Sequence, residues 1–163
     1  MPAAAPRQLT PPAKADVSDL NELYQSIILD HNRRPRNYGE PASCSHHASG
    51  RNPLCGDEVT VWMTVEDDVI TDVRFVGQGC AISKASSSLM TEAVRGKTRA
   101  DALAMFDRVH ELLTGKADPM AERKTLGQIA ALGGVSRFPV RVKCASLGWH
   151  AFRNALLQPE SVA

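Results

Sequence analysis

From Glu58 to Val65 apolar and polar residues alternate without a break. Val59, Val61, Met63 and Val65 fall on one side, Thr60, Trp62 and Thr64 on the other. That period of two belongs to a strand with one buried face. Glu66-Asp67-Asp68 supplies a turn, and Val69 to Val76 is a second β-branched run with Val73 and Phe75 on one face. Two such runs joined by a short polar turn predict an antiparallel hairpin. A short strand ahead of Asn52 would extend it to three.

The flanks carry helical periodicity. Leu20, Leu23, Tyr24, Ile27 and Ile28 recur at spacings of three and four, which predicts a helix over Val17 to Arg34 with Ser18 as its cap. Pro35 stops it, and Arg33 to Gly39 is a basic, turn-rich exit. A second helix is expected from Ile82 to Arg95, with Ile82, Ala85, Leu89 and Ala93 inward, a serine-rich polar stripe and Gly96 as its end. Thr98 and Asp101 form a capping pair for a third, Thr98 to Leu113, which buries Leu103, Phe106, Val109 and Leu113. Lys116 to Arg123 is polar, with a turn at Asp118-Pro119, and Thr125 to Leu132 is a short helix ended by Gly133-Gly134. Pro139 suits the first position of a final helix to Leu157, with Val140, Cys144, Leu147, Ala151 and Ala155 on its inward side. The expectation is therefore an α+β fold: a small antiparallel sheet of about three strands packed on one side by about five or six helices. A single domain is expected over residues 17–158, behind a Pro/Ala-rich disordered tail, 1–16.

Composition excludes some partners. Among 163 residues the net charge is +1, so no basic surplus points to nucleic acid or an anionic membrane. No apolar run approaches the roughly 18 residues of a membrane span. The N-terminus has no charged-then-apolar signal segment, and a cytoplasmic location is expected. The four cysteines are then read as reduced, metal-binding or catalytic groups rather than disulfides.

Three of them stand in turn-like boxes. Cys55 and Asp57 flank a glycine in Asn52-Pro53-Leu54-Cys55-Gly56-Asp57, just before the first strand. Cys80 closes Val76-Gly77-Gln78-Gly79-Cys80, at a helix N-terminus whose dipole favours thiolate. Cys144 lies in the first turns of the last helix. Our reading is that Cys55, Asp57, Cys80 and Cys144 converge on one site. Three thiolates and a carboxylate make a complete tetrahedral set for zinc, and soft thiolates also select iron–sulfur clusters. The aspartate is unusual for a purely structural zinc and suggests a site that opens. No zinc-finger spacing applies, so the residues alone leave both a metal site and a set of buried structural thiols open. Cys44, His46 and His47 fit no tetrahedral signature and are read as non-ligands, the histidines as surface residues.

The three boxes, in this order, resemble the U-type iron–sulfur assembly scaffold family. They are Asn52 to Asp57, Gly77-Gln78-Gly79-Cys80-Ala81-Ile82-Ser83, and Phe138-Pro139-Val140-Arg141-Val142-Lys143-Cys144-Ala145. Leu23-Tyr24, Asp30-His31, Pro35-Arg36-Asn37 and Leu132-Gly133-Gly134-Val135-Ser136 add to the likeness, which runs from about Leu20 to Leu156. Lys143 stands where the IscU-type branch has a histidine, and the long stretch Gly96 to Val135 is similar to an extra segment of the SufU-type branch. The resemblance to that branch implies a zinc-dependent sulfurtransferase. It also implies zinc held by Cys55, Asp57, Cys80 and Cys144, and sulfur taken from the persulfide of a SufS-type, pyridoxal-phosphate cysteine desulfurase and passed to a downstream cluster scaffold complex. In that pattern a histidine of the partner replaces Cys55 on the zinc and Cys55 accepts the sulfur; Asp57 is a ligand, with general base as a second role. Arg141 and Lys143 then read either as a solvated helix start or as a docking patch for an acidic rim. The alternatives are a scaffold for a transient iron–sulfur cluster on the same ligands, and a purely structural zinc.

Overall fold

The computed structural model describes residues 17–54 and 56–158. The expected tail, residues 1–16, and Cys55 lie outside the described residues. The alternation becomes β2, Asp57–Glu66, at the centre of a three-stranded antiparallel sheet between β1, His46–Asn52, and β3, Val69–Gln78. Val61 pairs with Ala48 on one side and Phe75 on the other. Val59, Val61 and Met63 are buried together, as the period of two requires. Asp67 and Asp68 both have positive φ, 50° and 67°, the backbone of a two-residue turn whose twist matches the strands it joins. A register shift at Thr64/Val65 changes the parity, so that Ile70 and Val73, three apart, both face the core.

Five α-helices and a 3-10 segment complete the described chain. They are α1 (Val17–Arg33), α2 (Ala81–Val94), α3 (Arg99–Leu113), α4 (Pro119–Leu126), the 3-10 segment Gly127–Arg137, and α5 (Pro139–Leu157). On α1, Ile27 and Ile28 are buried; the side chains of Leu20 and Leu23, expected on the same face, lie outside the described residues. Pro139 opens α5 as expected, and the Asp101 amide donates to Thr98 Oγ1 at 3.1 Å to cap α3. α5 packs on β1 and β2 and also on α2 and α3. It is therefore buried on more than one stripe, with Trp149 and Phe152 in the core. A fully buried side chain of that kind contributes about 1.5–3 kcal/mol.

Four expectations are corrected. The turn at Asp118-Pro119 is a helix start: Asp118 Oδ1 accepts from the Met120 amide at 3.0 Å, with Pro119 in the first turn of α4. The short helix over Thr125 to Leu132 is instead the end of α4 and the 3-10 segment, broken at Gly127, whose φ of 57° suits glycine. His46, expected at the surface, is buried in β1 with Nδ1 2.8 Å from Ser45 Oγ. Val140, expected inward on α5, is 60% exposed.

The serine stripe of α2 faces inward. Ser86 Oγ donates to the Ala145 carbonyl at 2.6 Å, and Ser87 Oγ to the Ser83 carbonyl at 2.9 Å. Ser88 Oγ accepts from the Arg36 amide at 2.8 Å and lies 2.7 Å from Nδ1 of the buried His31. Small hydroxyl side chains let α2 approach α5 and α1 closely while each of these oxygens keeps a partner. A close approach is at Gly148, where an added Cβ would overlap Ser87 Oγ and come 3.0 Å from Ser87 Cβ. Gly148→Ala should lower the unfolding free energy by about 1–3 kcal/mol in urea titration, with part of the loss recovered in the double variant Ser87→Ala, Gly148→Ala.

Burial, with the nearby Arg36 guanidinium, holds the His31 imidazole below its ordinary range; a bond to Gln128 and the charges of Glu92 and Asp30 oppose this more weakly. His150 is lowered likewise by burial, His110 and Arg153. Both histidines favour the neutral form in the fold, so below about pH 6.5 the unfolded chain binds more protons than the native one. Their stabilisation is complete above that pH and is lost as pH falls. Unfolding free energies measured from about pH 7 down to pH 5 should decline, and His31→Gln should decline less steeply.

Candidate metal centre

β2 begins at Asp57 and β3 ends at Gln78, so the hairpin brings Asp57 back beside the start of α2. Asp57 is fully buried. Its Oδ1 accepts from the Cys80 amide at 2.8 Å, and the Cys80 thiol lies 3.4 Å from its Oδ2. Cys80 is the N-cap of α2, and its Sγ accepts from the Ser83 amide at 3.4 Å. Gly79 makes this approach feasible. Its φ is 126°, and an added Cβ would overlap Asp57 Oδ1 and lie 2.7 Å from Asp57 Cγ. Cys144 arrives from α5, 4% exposed, carried by the helix whose next residue accepts from Ser86.

The structure brings Asp57, Cys80 and Cys144 together, with one donor atom from each within 4.8 Å of the others. Zinc with sulfur at about 2.3 Å and oxygen at about 2.0–2.2 Å needs donor separations a little under 4 Å. Small side-chain movements close that difference. Two sulfurs and a carboxylate, all held by ordered elements, fit zinc chemically and leave one tetrahedral position for a further ligand. Cys55, expected in that set, lies outside the described residues. Cys44 precedes β1, half-buried, and neither it nor His46 or His47 belongs to the group of three.

Reasoning from the sequence missed what surrounds the group. Tyr24 carries a buried hydroxyl without a hydrogen-bond partner among the described residues, as do Ser83 at Oγ and Asn52 at Nδ2. Each adjoins the site: Ser83 through its amide on Cys80, Asn52 as the ladder partner of Asp57, and Tyr24 through the cleft it shares with Arg141, one turn ahead of Cys144. Burial pushes the Tyr24 phenol up; Arg141 acts against this and the two thiols add to it. An unpaired buried polar group costs about 1–3 kcal/mol. All three stand in stretches that carry the likeness, Tyr24 in Leu23-Tyr24 and Asn52 and Ser83 at the ends of two cysteine boxes, but nothing in the residue pattern assigns them a role at the site.

The rim is apolar and basic. Leu54 and Phe138 are exposed, and Lys143 points to solvent. The Arg141 guanidinium lies 4.6 Å over the Phe138 ring, and a cleft of about 200 Å³ runs between Tyr24, Gln25, Gly134, Phe138 and Arg141. Gly79→Ala should keep the far-ultraviolet circular dichroism of the native chain and weaken zinc binding about 10–100-fold in a chelator competition, because the added methyl displaces Asp57.

Residues 23–145 match the family described as the NifU-like N terminal domain. The iron-sulfur cluster assembly scaffold protein IscU of Streptococcus pyogenes is 40% identical over 86% of this chain and 86% of its own length. The zinc-dependent sulfurtransferase SufU of Bacillus subtilis is 39% identical over 88% of this chain and 95% of its own. Among solved structures, FiSufU of Fervidobacterium islandicum, described as an iron-sulfur cluster assembly scaffold for the SUF system, superposes with a TM-score of 0.75. It has 35% identity over 83% of this chain and 98% of its own. With the order of the three cysteine boxes and the α+β fold, these matches establish that the chain belongs to the NifU-like N-terminal domain family, together with proteins named IscU and SufU.

Proposed function

We propose that this protein is a zinc-dependent sulfurtransferase of iron–sulfur biogenesis, working in a reducing cytoplasm. It accepts sulfur from the persulfide of a SufS-type, pyridoxal-phosphate cysteine desulfurase and passes it to a downstream scaffold complex. The observation that carries this reading is the convergence of Asp57, Cys80 and Cys144 on one point, with Lys143 rather than an imidazole beside Cys144. The ordinary zinc ligands are thiolate, imidazole and carboxylate, and lysine is not among them, so the reading takes thiolates and one carboxylate as the set.

Cys55, Asp57, Cys80 and Cys144 would hold the zinc, which would supply the charge that keeps these thiols deprotonated near neutral pH. Asp57 and Cys80 are fixed by their mutual contacts, and Cys144 by its place in α5. Cys55 is the acceptor. Its thiolate attacks the outer sulfur of the incoming persulfide, the sulfur–sulfur bond of the desulfurase breaks, and a new one forms at Cys55. The desulfurase cysteine leaves as thiolate, so sulfur moves with no net oxidation or reduction. Arg141 and Lys143, exposed on the first turns of α5 beside Phe138 and Val140, dock the acidic rim of the desulfurase around the site.

A second reading is a scaffold on which a transient iron–sulfur cluster is assembled by the same ligands, and the name of the Streptococcus pyogenes relative favours it. Metal analysis of the purified chain separates the two: sulfur transfer expects about one equivalent of zinc, and assembly expects iron and sulfide. Added to a SufS-type desulfurase, the native chain should raise cysteine turnover, and Cys55→Ala should abolish the stimulation. Full stimulation by Cys55→Ala would remove Cys55 from the acceptor role.

A further inference from the structure

The donor set implies a charge problem. Three thiolates and a carboxylate around a divalent ion leave two negative charges in excess, in a pocket where Asp57 and Cys144 are buried. Buried charge needs compensation. The cations near this site, Arg141 and Lys143, are exposed on the rim. Three neutral donors are buried near the group without a hydrogen-bond partner among the described residues: the Tyr24 hydroxyl, the Asn52 amide at Nδ2 and the Ser83 hydroxyl.

Their placement matches the ligands. Ser83 is one turn from Cys80, and its amide already donates to Cys80 Sγ. Its neighbours on the same stripe, Ser86, Ser87 and Ser88, all have hydroxyl partners. Asn52 stands across the ladder from Asp57 and uses Oδ1 to accept from the Leu54 amide at 3.1 Å, which leaves Nδ2 spare. Tyr24 lines the cleft beside Arg141, which stands three residues ahead of Cys144 on α5.

We propose that Tyr24, Asn52 and Ser83 form a shell of hydrogen-bond donors to the ligands of the bound metal, and that this shell, rather than a buried cation, carries the excess negative charge of the site. The proposal rests on the zinc reading above and deepens it. A donor to a metal-bound thiolate withdraws electron density from sulfur, which weakens its nucleophilicity and its bond to the metal. The shell therefore keeps resting thiolates quiet and makes exchange of one of them easier. The three residues are positioning residues.

Cobalt(II) substituted into the full chain reports directly on the sulfur donors. Removing a donor raises the energy of the sulfur electrons, so the sulfur-to-cobalt charge-transfer band should move to longer wavelength in Tyr24→Phe, Ser83→Ala and Asn52→Asp. The last keeps the oxygen that accepts from Leu54. Alkylation of the zinc-loaded protein by iodoacetamide should be several-fold faster in Tyr24→Phe and Ser83→Ala than in the native chain. Ser88→Ala, which removes the bonds to His31 and Arg36 away from the metal, should lower the melting temperature and leave the band in place. A native chain that takes up no cobalt overturns the metal reading and the shell with it. A native chain that takes it up, with the band unmoved in Tyr24→Phe and Ser83→Ala or moved equally by Ser88→Ala, overturns the shell alone.

Discussion

The contact between the Asp57 carboxylate and the Cys80 amide organises this molecule. It is a charge-assisted bond of 2.8 Å made in a fully buried position. It closes the β2–β3 hairpin at its open end, and it locks the last loop residue before α2 against the first residue of β2. Gly79 permits the approach, since any larger residue would occupy the space of the carboxylate. The thiol at the helix N-cap and the carboxylate at the strand start are thus set by the sheet register rather than by flexible loops. That is the kind of rigid support that a site of fixed geometry requires.

The third sulfur depends on a different interface. Cys144 is placed by α5, and α5 is placed against α2 by the serine stripe. Ser86 bonds the carbonyl of the residue after Cys144, and Ser87 meets Gly148 one turn further on. An apolar interface with larger side chains would hold the helices farther apart and carry Cys144 away from Asp57. The same stripe continues through Ser88 to His31 and Arg36, which ties α1 and the basic turn after it to the helix that bears Cys80. Polar packing of this kind adds little net stability per bond, about 0.5–1.5 kcal/mol. It does demand one arrangement, because each hydroxyl shifted from its partner becomes a buried cost.

Much of this was legible in the sequence, for reasons that differ by element. The alternation of β2 and the Asp67-Asp68 turn are local signals, and the hairpin follows from them. The caps at Thr98 and Cys80 are equally local. The burial of the serine stripe was not, since serine carries no hydrophobic signal and its destination depends on which helices approach. Asp118-Pro119 was ambiguous for a physical reason: an acidic residue followed by proline begins a turn and begins a helix by the same dihedrals. Val140 lies outside because the first turn of α5, residues 139–141, is exposed at the rim, ahead of the buried stripe that starts at Cys144. Of the candidate metal centre, the cysteine boxes and Asp57 were visible; Asn52 and Ser83 lie at the ends of two of those boxes, but nothing local marks them as neighbours of the ligands. A lone hydroxyl or amide becomes significant only when the fold denies it a partner.

The connection from Asn52, the end of β1, to Asp57, the start of β2, adds a final constraint. Asp57, Cys80 and Cys144 each sit in or at the cap of a helix or strand. In the connection between, Leu54 is 73% exposed and Gly56 has a φ of 76°. A ligand carried there pays little to leave, because its neighbours bury almost nothing and glycine tolerates the change of dihedrals. A ligand carried by β2, α2 or α5 could leave only by disturbing the core. Under the proposed sulfur transfer, the ligand that leaves the metal is best carried where departure disturbs least. Among the described residues around the group that place is the Asn52–Asp57 connection, and in the sequence Cys55 stands there, one glycine ahead of the buried Asp57.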